Sequence, residues 1–237
     1  MLVPVVELQR ERHRGRGLRA DAERNRERLV KAAQSVFAEG GLNVALDEVA
    51  TRAGVGIATL YRRFPTREEL VAAAFEAKLT DYAVAAEEAL TRRDPWDSFV
   101  ELVERICAMQ ADDRGFTDLI TMSLPPAKHS AELRDRGRRA AMKVIGRAQE
   151  AGALREDLVL EDLALLLMAN AGVVRATRDV APHAWRRWLA FMLDGLRVAP
   201  RGAFRPGPMP APPTPAQMAR ILNGNVLTQG GAGPVHE

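Results

Sequence analysis

Residues 46–70, LDEVATRAGVGIATLYRRFPTREEL, decide the fold. The stretch predicts a helix over 46–53, a glycine turn, a short helix over 57–63, and a longer helix opening after Thr66. Pro65 ends the short helix, because the residue before a proline is pushed out of α geometry. Thr66 with Glu69 three residues on forms a capping box for the next helix, which runs to about Leu90. Gly54 stands at the turn, where positive φ is needed and only glycine adopts it without penalty. Ala50 lies four residues earlier, where the two helices approach most closely and a larger side chain would part them. Val49, Val55, Leu60 and Phe64 supply a small core, with Leu60 and Phe64 on one face of the short helix.

That face leaves Gly56, Ile57, Ala58, Thr59, Tyr61, Arg62 and Arg63 pointing outward or obliquely. A short helix with hydroxyls and guanidinium groups outside suits a DNA major groove. Its first residues can enter the groove while Thr, Tyr and Arg bind phosphate. The charge distribution agrees. Residues 1–67 hold 13 Lys/Arg against 8 Asp/Glu, residues 68–199 hold 18 against 22, and the whole chain has a net charge of +3. A basic first third on a slightly acidic body fits a DNA-binding head joined to a body that does not bind DNA.

Outward from the head, residues 1–20 read as a flexible basic arm, with Arg10, Arg12, Arg14, Arg16 and Arg19 among Gly15 and Gly17. Asp21 is the expected N-cap of a first helix that buries Leu29, Val36 and Phe37 and stops at Gly40–Gly41. Beyond the head, Asp94-Pro95 opens a helix with Phe99, Val103, Ile106, Cys107 and Gln110 on one face. A short helix holds Phe116, Leu119, Ile120 and Met122, and another spans 128–151. A nearly all-apolar helix covers 161–177, and a last one runs from Pro182 to about Val198. No segment alternates as a strand does. The expected fold is therefore all-α, about nine helices. It divides into an arm at 1–20, a helix-turn-helix domain at 21–66, a helical body at 67–199, and a tail at 200–237. The tail has 8 Pro and 6 Gly in 38 residues, which predicts disorder.

The chain here resembles the tetracycline-repressor (TetR) family of bacterial transcription regulators. Residues 24–75 carry the likeness, above all AGVGIATLYRRFPTREEL; the rest is similar in architecture only. The resemblance implies a homodimer with a three-helix DNA head and a divergent body that binds a small effector and dimerises through its last two helices. By position it implies that Thr59, Tyr61, Arg63 and Arg67 contact phosphates and that Ile57 and Ala58 touch bases. Two departures stand out. Ala45 occupies the place where a Ser or Thr often caps the second helix. Ile57 and Ala58 offer only apolar contact, chiefly to thymine methyls, which shifts readout toward Tyr61, Arg62 and DNA shape.

In the body, small residues of the apolar helix (Ala169 and Gly172, beside Leu165) allow close approach, and the last helix adds Trp185, Trp188 and Met192. These residues are the candidate dimer interface, as an intersubunit four-helix bundle; an intramolecular core is the other use of the same side chains. Candidate effector-pocket residues are Trp96, Phe99, Met109, Phe116, Met122, Met142 and Asn170, any of which also serves as plain core. Asn170 is an amide in an apolar helix and needs a partner.

Catalysis has little support. His13, His129, His183 and His236 are scattered, and none has metal-ligand spacing with Cys or carboxylates. Cys107 on an apolar face reads as an inert core thiol. No cofactor or metal is expected. The first residues lack a charged start and apolar core, and the apolar run 163–174 is too short for a bilayer, so a cytoplasmic protein is expected. The expected function is a ligand-responsive repressor that binds a palindromic operator as a homodimer and leaves it when a small molecule binds. Two readings remain open beside it: an activator or ligand-independent regulator with the same head, and a helical small-molecule-binding protein with a vestigial head.

Overall fold

The computed structural model describes residues 5–121, 128–198 and 214–216, with side chains from residue 21 onward except 22 and 122–129. Among these the chain forms nine α-helices. They are α1 (Val5–Gly40), α2 (Leu46–Ala53), α3 (Ile57–Arg63), α4 (Arg67–Ala89), α5 (Pro95–Asp112), α6 (Arg114–Thr121), α7 (Lys128–Glu150), α8 (Leu160–Thr177) and α9 (Ala184–Leu196). The one β feature among the described residues is an isolated bridge between Leu154 and Arg197. The all-α expectation is met.

Local signals place most helix ends. α1 stops at Gly40; Gly41 takes φ 82° and its N–H donates to the Phe37 carbonyl at 2.8 Å. Thr66 Oγ1 accepts from the Glu69 N–H at 3.2 Å and opens α4. The Asp94 carboxylate accepts from the Trp96 and Asp97 N–H groups and opens α5. These caps satisfy backbone groups that helix ends leave without partners.

The start of the chain differs from expectation. α1 begins at Val5, so residues 5–20 continue the first helix and Asp21 lies inside it as an ion-pair partner of Arg24. Arg, Glu, Gln, Leu and Ala are good helix formers, and over this length they outweigh Gly15 and Gly17. Apart from residues 214–216, the tail at 200–237 lies outside the described residues.

Two cores share one long helix. The first joins α1, α2 and α3 through Leu29, Val36, Phe37, Val49, Ala50, Leu60 and Phe64. The second joins α5, α7, α8 and α9 through Phe99, Leu102, Val103, Ile106, Val144, Leu166, Leu167, Trp185 and Leu189. α4 contributes Leu70, Val71, Ala74, Phe75 and Leu79 to the first and Ala86 and Ala89 to the second. α6 also reaches the head: Phe116 and Leu119 are buried in the first core. A Cβ at Gly115 would lie 2.6 Å from Phe75 Cζ and 2.9 Å from the Phe37 carbonyl oxygen, so glycine lets α6 press against α1 and α4. The Phe37 and Phe75 rings stack beside it with centroids 6.1 Å apart.

Candidate nucleic-acid interface and effector cavities

α2 and α3 form the expected helix-turn-helix. Gly54 takes φ 65° and ψ 37° at the turn, with nothing within 4 Å of the place a Cβ would occupy. Backbone geometry alone therefore requires glycine here. The Val55 N–H donates to the Ala50 carbonyl at 3.0 Å and closes the turn. Val49, Ala50, Leu60 and Phe64 are buried, and Val55 packs against them half-buried. As anticipated, Ala45 gives α2 no side-chain cap.

The outer face of α3 is open. Gly56, Ala58, Tyr61, Arg62 and Arg63 are exposed, and Ile57 and Thr59 are half-buried. Tyr61 is 49% exposed, a large aromatic left in solvent at the end of a helix. Arg62 folds back on its own helix and donates to the Ala58 carbonyl and to Thr59 Oγ1 at 3.1 Å. Arg63 reaches Glu23 of α1 at 3.4 Å. Both guanidinium groups are held only by exposed contacts, which water or phosphate replaces at little cost.

Arg67 stands apart from its neighbours. Half-buried, it donates from one Nη to the Leu42 carbonyl at 2.7 Å and the Val44 carbonyl at 2.9 Å. It ties the α1–α2 turn to the start of α4, so this expected phosphate contact carries a structural load that the sequence did not reveal. Arg52 has a similar tie on the surface, bridging α2 to Glu39 and Ser35 of α1.

Two family models match this chain, one in the head and one in the body. One, described as bacterial regulatory proteins of the tetR family, covers residues 29–74, and the other, described as the C-terminal domain of SbtR-like transcriptional regulators, covers residues 94–198. The chain belongs to the TetR family. It is a TetR-family transcriptional regulator with a helix-turn-helix DNA-binding head. An HTH-type transcriptional regulator of Staphylococcus aureus (strain USA300) is 37% identical over 54 residues, a match that spans 22% of this chain and 29% of that relative. A TetR transcription regulatory protein from Mycobacterium vanbaalenii is 31% identical over 76% of this chain and 99% of its own, with a TM-score of 0.46. The ketosteroid transcriptional regulator KstR2 of Mycobacterium tuberculosis has the same fold at 20% identity, with a TM-score of 0.52 and 73% and 94% of the two chains covered.

In the body of this TetR-family chain, two cavities among the described residues border α6. The larger, 510 Å3, lies between α5, α6 and α8 and is lined by Gln110, Arg114, Thr117, Asp118, Arg175 and Arg178, among others. The smaller, 370 Å3, lies between α4, α6, α7 and α8. Thr121 lines both. Both volumes are within the range of small-molecule sites, about 300–1,000 Å3.

The expected pocket residues that are described, Trp96, Phe99, Met109, Phe116, Met142 and Asn170, line neither cavity. Trp96 and Phe99 are buried in the body core with ring centroids 5.9 Å apart, and Phe116 belongs to the head core. Met109 packs half-buried against that same head core. Met142 is 49% exposed, because α7 turns Ala140, Ala141, Val144 and Ile145 inward instead. Met122 lies outside the described residues. Asn170 is fully buried and donates to Gln110 Oε1 at 2.9 Å, while Gln110 Nε2 donates to the Leu167 carbonyl. Its own Oδ1 has no partner among the described residues. The amide thus finds a neighbour within the chain, one position removed from the cavity that Gln110 lines.

Polar residues were the missed signal. Asp118 sits between Phe116 and Leu119 on the buried side of α6, where a carboxylate needs a reason to be. It is buried, and its Oδ2 accepts from the Leu42 N–H at 2.8 Å. Burial pushes this carboxyl above the usual range, against the Leu42 N–H and the charges of Arg114 and Arg175, which pull it down.

The candidate dimer residues divide in two. Trp185 is 2% exposed, built into its own subunit's core with Leu189 and Leu193, so it is withdrawn from the interface set. Trp188 and Gly172 are half-buried, whereas Leu165, Ala169, Phe191 and Met192 are exposed on neighbouring helices α8 and α9. Cys107 is buried, and desolvation with the nearby Glu104 pushes its thiol up to about 12. It is a core group with no thiolate at neutral pH. No helix among the described residues is long and apolar enough to cross a membrane.

Proposed function

We propose that this TetR-family regulator is a ligand-responsive repressor acting in the cytoplasm as a homodimer on a palindromic operator, from which a small molecule releases it. Thr59, Tyr61, Arg63 and Arg67 grip phosphate, with Arg62 beside them, and Gly56, Ile57 and Ala58 face the bases. The exposed apolar residues of α8 and α9 meet their copies across a twofold axis, which matches protein symmetry to half-site symmetry.

One observation carries the ligand response. Asp118 lines the larger cavity and also holds the Leu42 N–H, while Arg67 holds the Leu42 carbonyl of the same turn. An occupant that moves α6 therefore pulls on the turn that orients α2 and α3. A ligand shifts the head only by its differential affinity for the two arrangements.

A gel shift with DNA upstream of the chain's own gene tests the head. Specific binding that falls steeply with salt is expected, because phosphate neutralisation dominates affinity. Tyr61→Ala and Arg63→Ala should weaken it without unfolding the protein. Unchanged binding in both variants would remove α3 as the DNA contact.

A further inference from the structure

The smaller cavity has an uneven lining. Leu79 of α4, Ile120 of α6, and Leu163 and Leu167 of α8 make it largely apolar. Tyr82 of α4 and Arg134 of α7 also face it. The Tyr82 ring lies so close over Gly137 that a Cβ there would collide, which fixes the ring against α7 beside Arg134.

Arg134 is the exception among the arginines of its helix. Arg136 pairs with Glu87, Arg138 and Arg139 both engage Asp135, and Arg147 donates to the Leu90 and Arg92 carbonyls. Among the described residues, Arg134 has neither a hydrogen bond nor an ion pair, although it is half-buried. The segment 122–129 that precedes it contains no carboxylate. The Tyr82 hydroxyl likewise has no hydrogen-bond partner among the described residues. Burial lowers the Arg134 pKa and raises that of Tyr82, and the Arg134 charge works against the Tyr82 shift, so the two groups feel each other.

A guanidinium cannot shed its proton at physiological pH, so a site that desolvates it gains from an anion. Carboxylate is the group whose two oxygens match the guanidinium fork. The apolar remainder of the cavity asks for a hydrocarbon or aromatic body. Asp135 and Arg138 also line this cavity, but the Asp135 carboxylate is engaged by Arg138 and Arg139, which leaves Arg134 without an ion pair. In the larger cavity Asp118 and Asp179 stand among the arginines.

We infer that the cavity between α4, α6, α7 and α8 binds an amphipathic organic anion, its carboxylate on Arg134 with Tyr82 beside it and its apolar body against Leu79, Ile120, Leu163 and Leu167. This names a class of effector for the smaller cavity and rests on the ligand-responsive reading above, in which an occupant acts by moving α6, a helix that borders both cavities. The walls of the cavity on α6 and α4 belong to the two helices that also enter the head core.

The test uses the full chain and three probes of one chain length: decanoate, 1-decanol and decylamine. Calorimetry and thermal denaturation without DNA read binding. Decanoate should bind roughly tenfold or more tighter than 1-decanol, the gain of a charge-assisted pair, and decylamine should bind weakest. Arg134→Gln should bring decanoate down to the level of 1-decanol, while Arg134→Lys keeps most of the preference. If Arg134→Gln does not fold, the wild-type ranking and Arg134→Lys still decide. No decanoate binding, equal affinity for decanoate and 1-decanol, or an Arg134→Gln variant that keeps the preference would overturn the site. Because DNA is absent, the two proposals fail separately. Decanoate binding that leaves operator affinity unchanged keeps the acid site and removes ligand release. Release by another compound without decanoate binding does the reverse.

Discussion

The head and the body both expose arginines, yet they hold them differently. On α3, Arg62 leans on Thr59 and Arg63 on Glu23, in solvent, through contacts that are easily exchanged. In the body, Arg134 is partly withdrawn from water with no ion pair among the described residues, and Asp118 is buried where it touches the head. Exposed, loosely paired cations suit a polyanion that arrives from solution and replaces the pairing. A desolvated charge in an apolar cavity suits one small partner of opposite sign. The two regions meet at Leu42, whose N–H belongs to Asp118 and whose carbonyl belongs to Arg67.

The largest expected effects test whether the two cores are one cooperative unit. Phe99→Ala in the body should cost about 3–5 kcal/mol and Leu60→Ala in the head about 2–5 kcal/mol, because both side chains are fully buried. α4 and α6 enter the head core from the body, so calorimetry should show one transition that both variants lower. Two transitions, each answering to only one variant, would break the coupling between head and body.

Arg67 and Arg63 sharpen the contrast within the head. Arg67→Ala should lose about 1.5–3 kcal/mol in chemical denaturation, the range for hydrogen bonds from a charged donor, as well as weakening DNA binding. Arg63→Ala should leave the denaturation midpoint almost unchanged. It should lower the salt dependence of DNA binding by about 1 phosphate contact per head. Equal stability of the two variants would contradict the clamp on Leu42 and Val44.

Asp118 gives a smaller effect with a definite sign. Its carboxyl titrates above the ordinary range in the folded protein, so the native state binds a proton more readily than the unfolded chain. Stability from this group therefore falls as pH rises from the usual carboxylate range through the raised native value. Asp118→Asn, which keeps an acceptor for the Leu42 N–H, should match or exceed the wild type in melting temperature at neutral pH. The wild type should gain on it as pH falls. A large loss at neutral pH would show that the charged form is needed for the head to dock. The smallest effect belongs to Glu23→Gln, which frees Arg63 and should tighten DNA binding slightly at low salt while leaving stability alone.

Local rules explain why the head was readable. Gly54, Pro65 and Thr66 act on their own backbone or on atoms three or four residues away, and α2, α3 and α4 start where those signals put them. Tyr61 and Arg63 were visible for the same reason, since one helical turn decides which way they point. Arg67 was half legible: its place after the aromatic was plain, but its bonds to Leu42 and Val44 depend on a turn more than twenty residues earlier. The pocket was not legible. Large apolar side chains such as Trp96, Phe99 and Phe116 look alike in a core and in a binding site, and here the structure packs all three away. What distinguishes the cavities is the polar groups in their walls, and Asp118 or Arg134 on a helix looks like surface until the neighbouring helices are placed.

The sequence alone determined the helical class, the helix-turn-helix and the face it turns outward, because helix periodicity, capping and turn geometry are short-range. It also placed the helices of the body to within a few residues. Tertiary structure alone decided that α1 extends back to Val5 and that Trp185 belongs to its own core. It also decided that Arg134 borders an apolar cavity and that Asp118 joins the body to the head. Each of those depends on which surfaces meet across long stretches of chain, where burial and the pairing of charges arise only once the helices are packed.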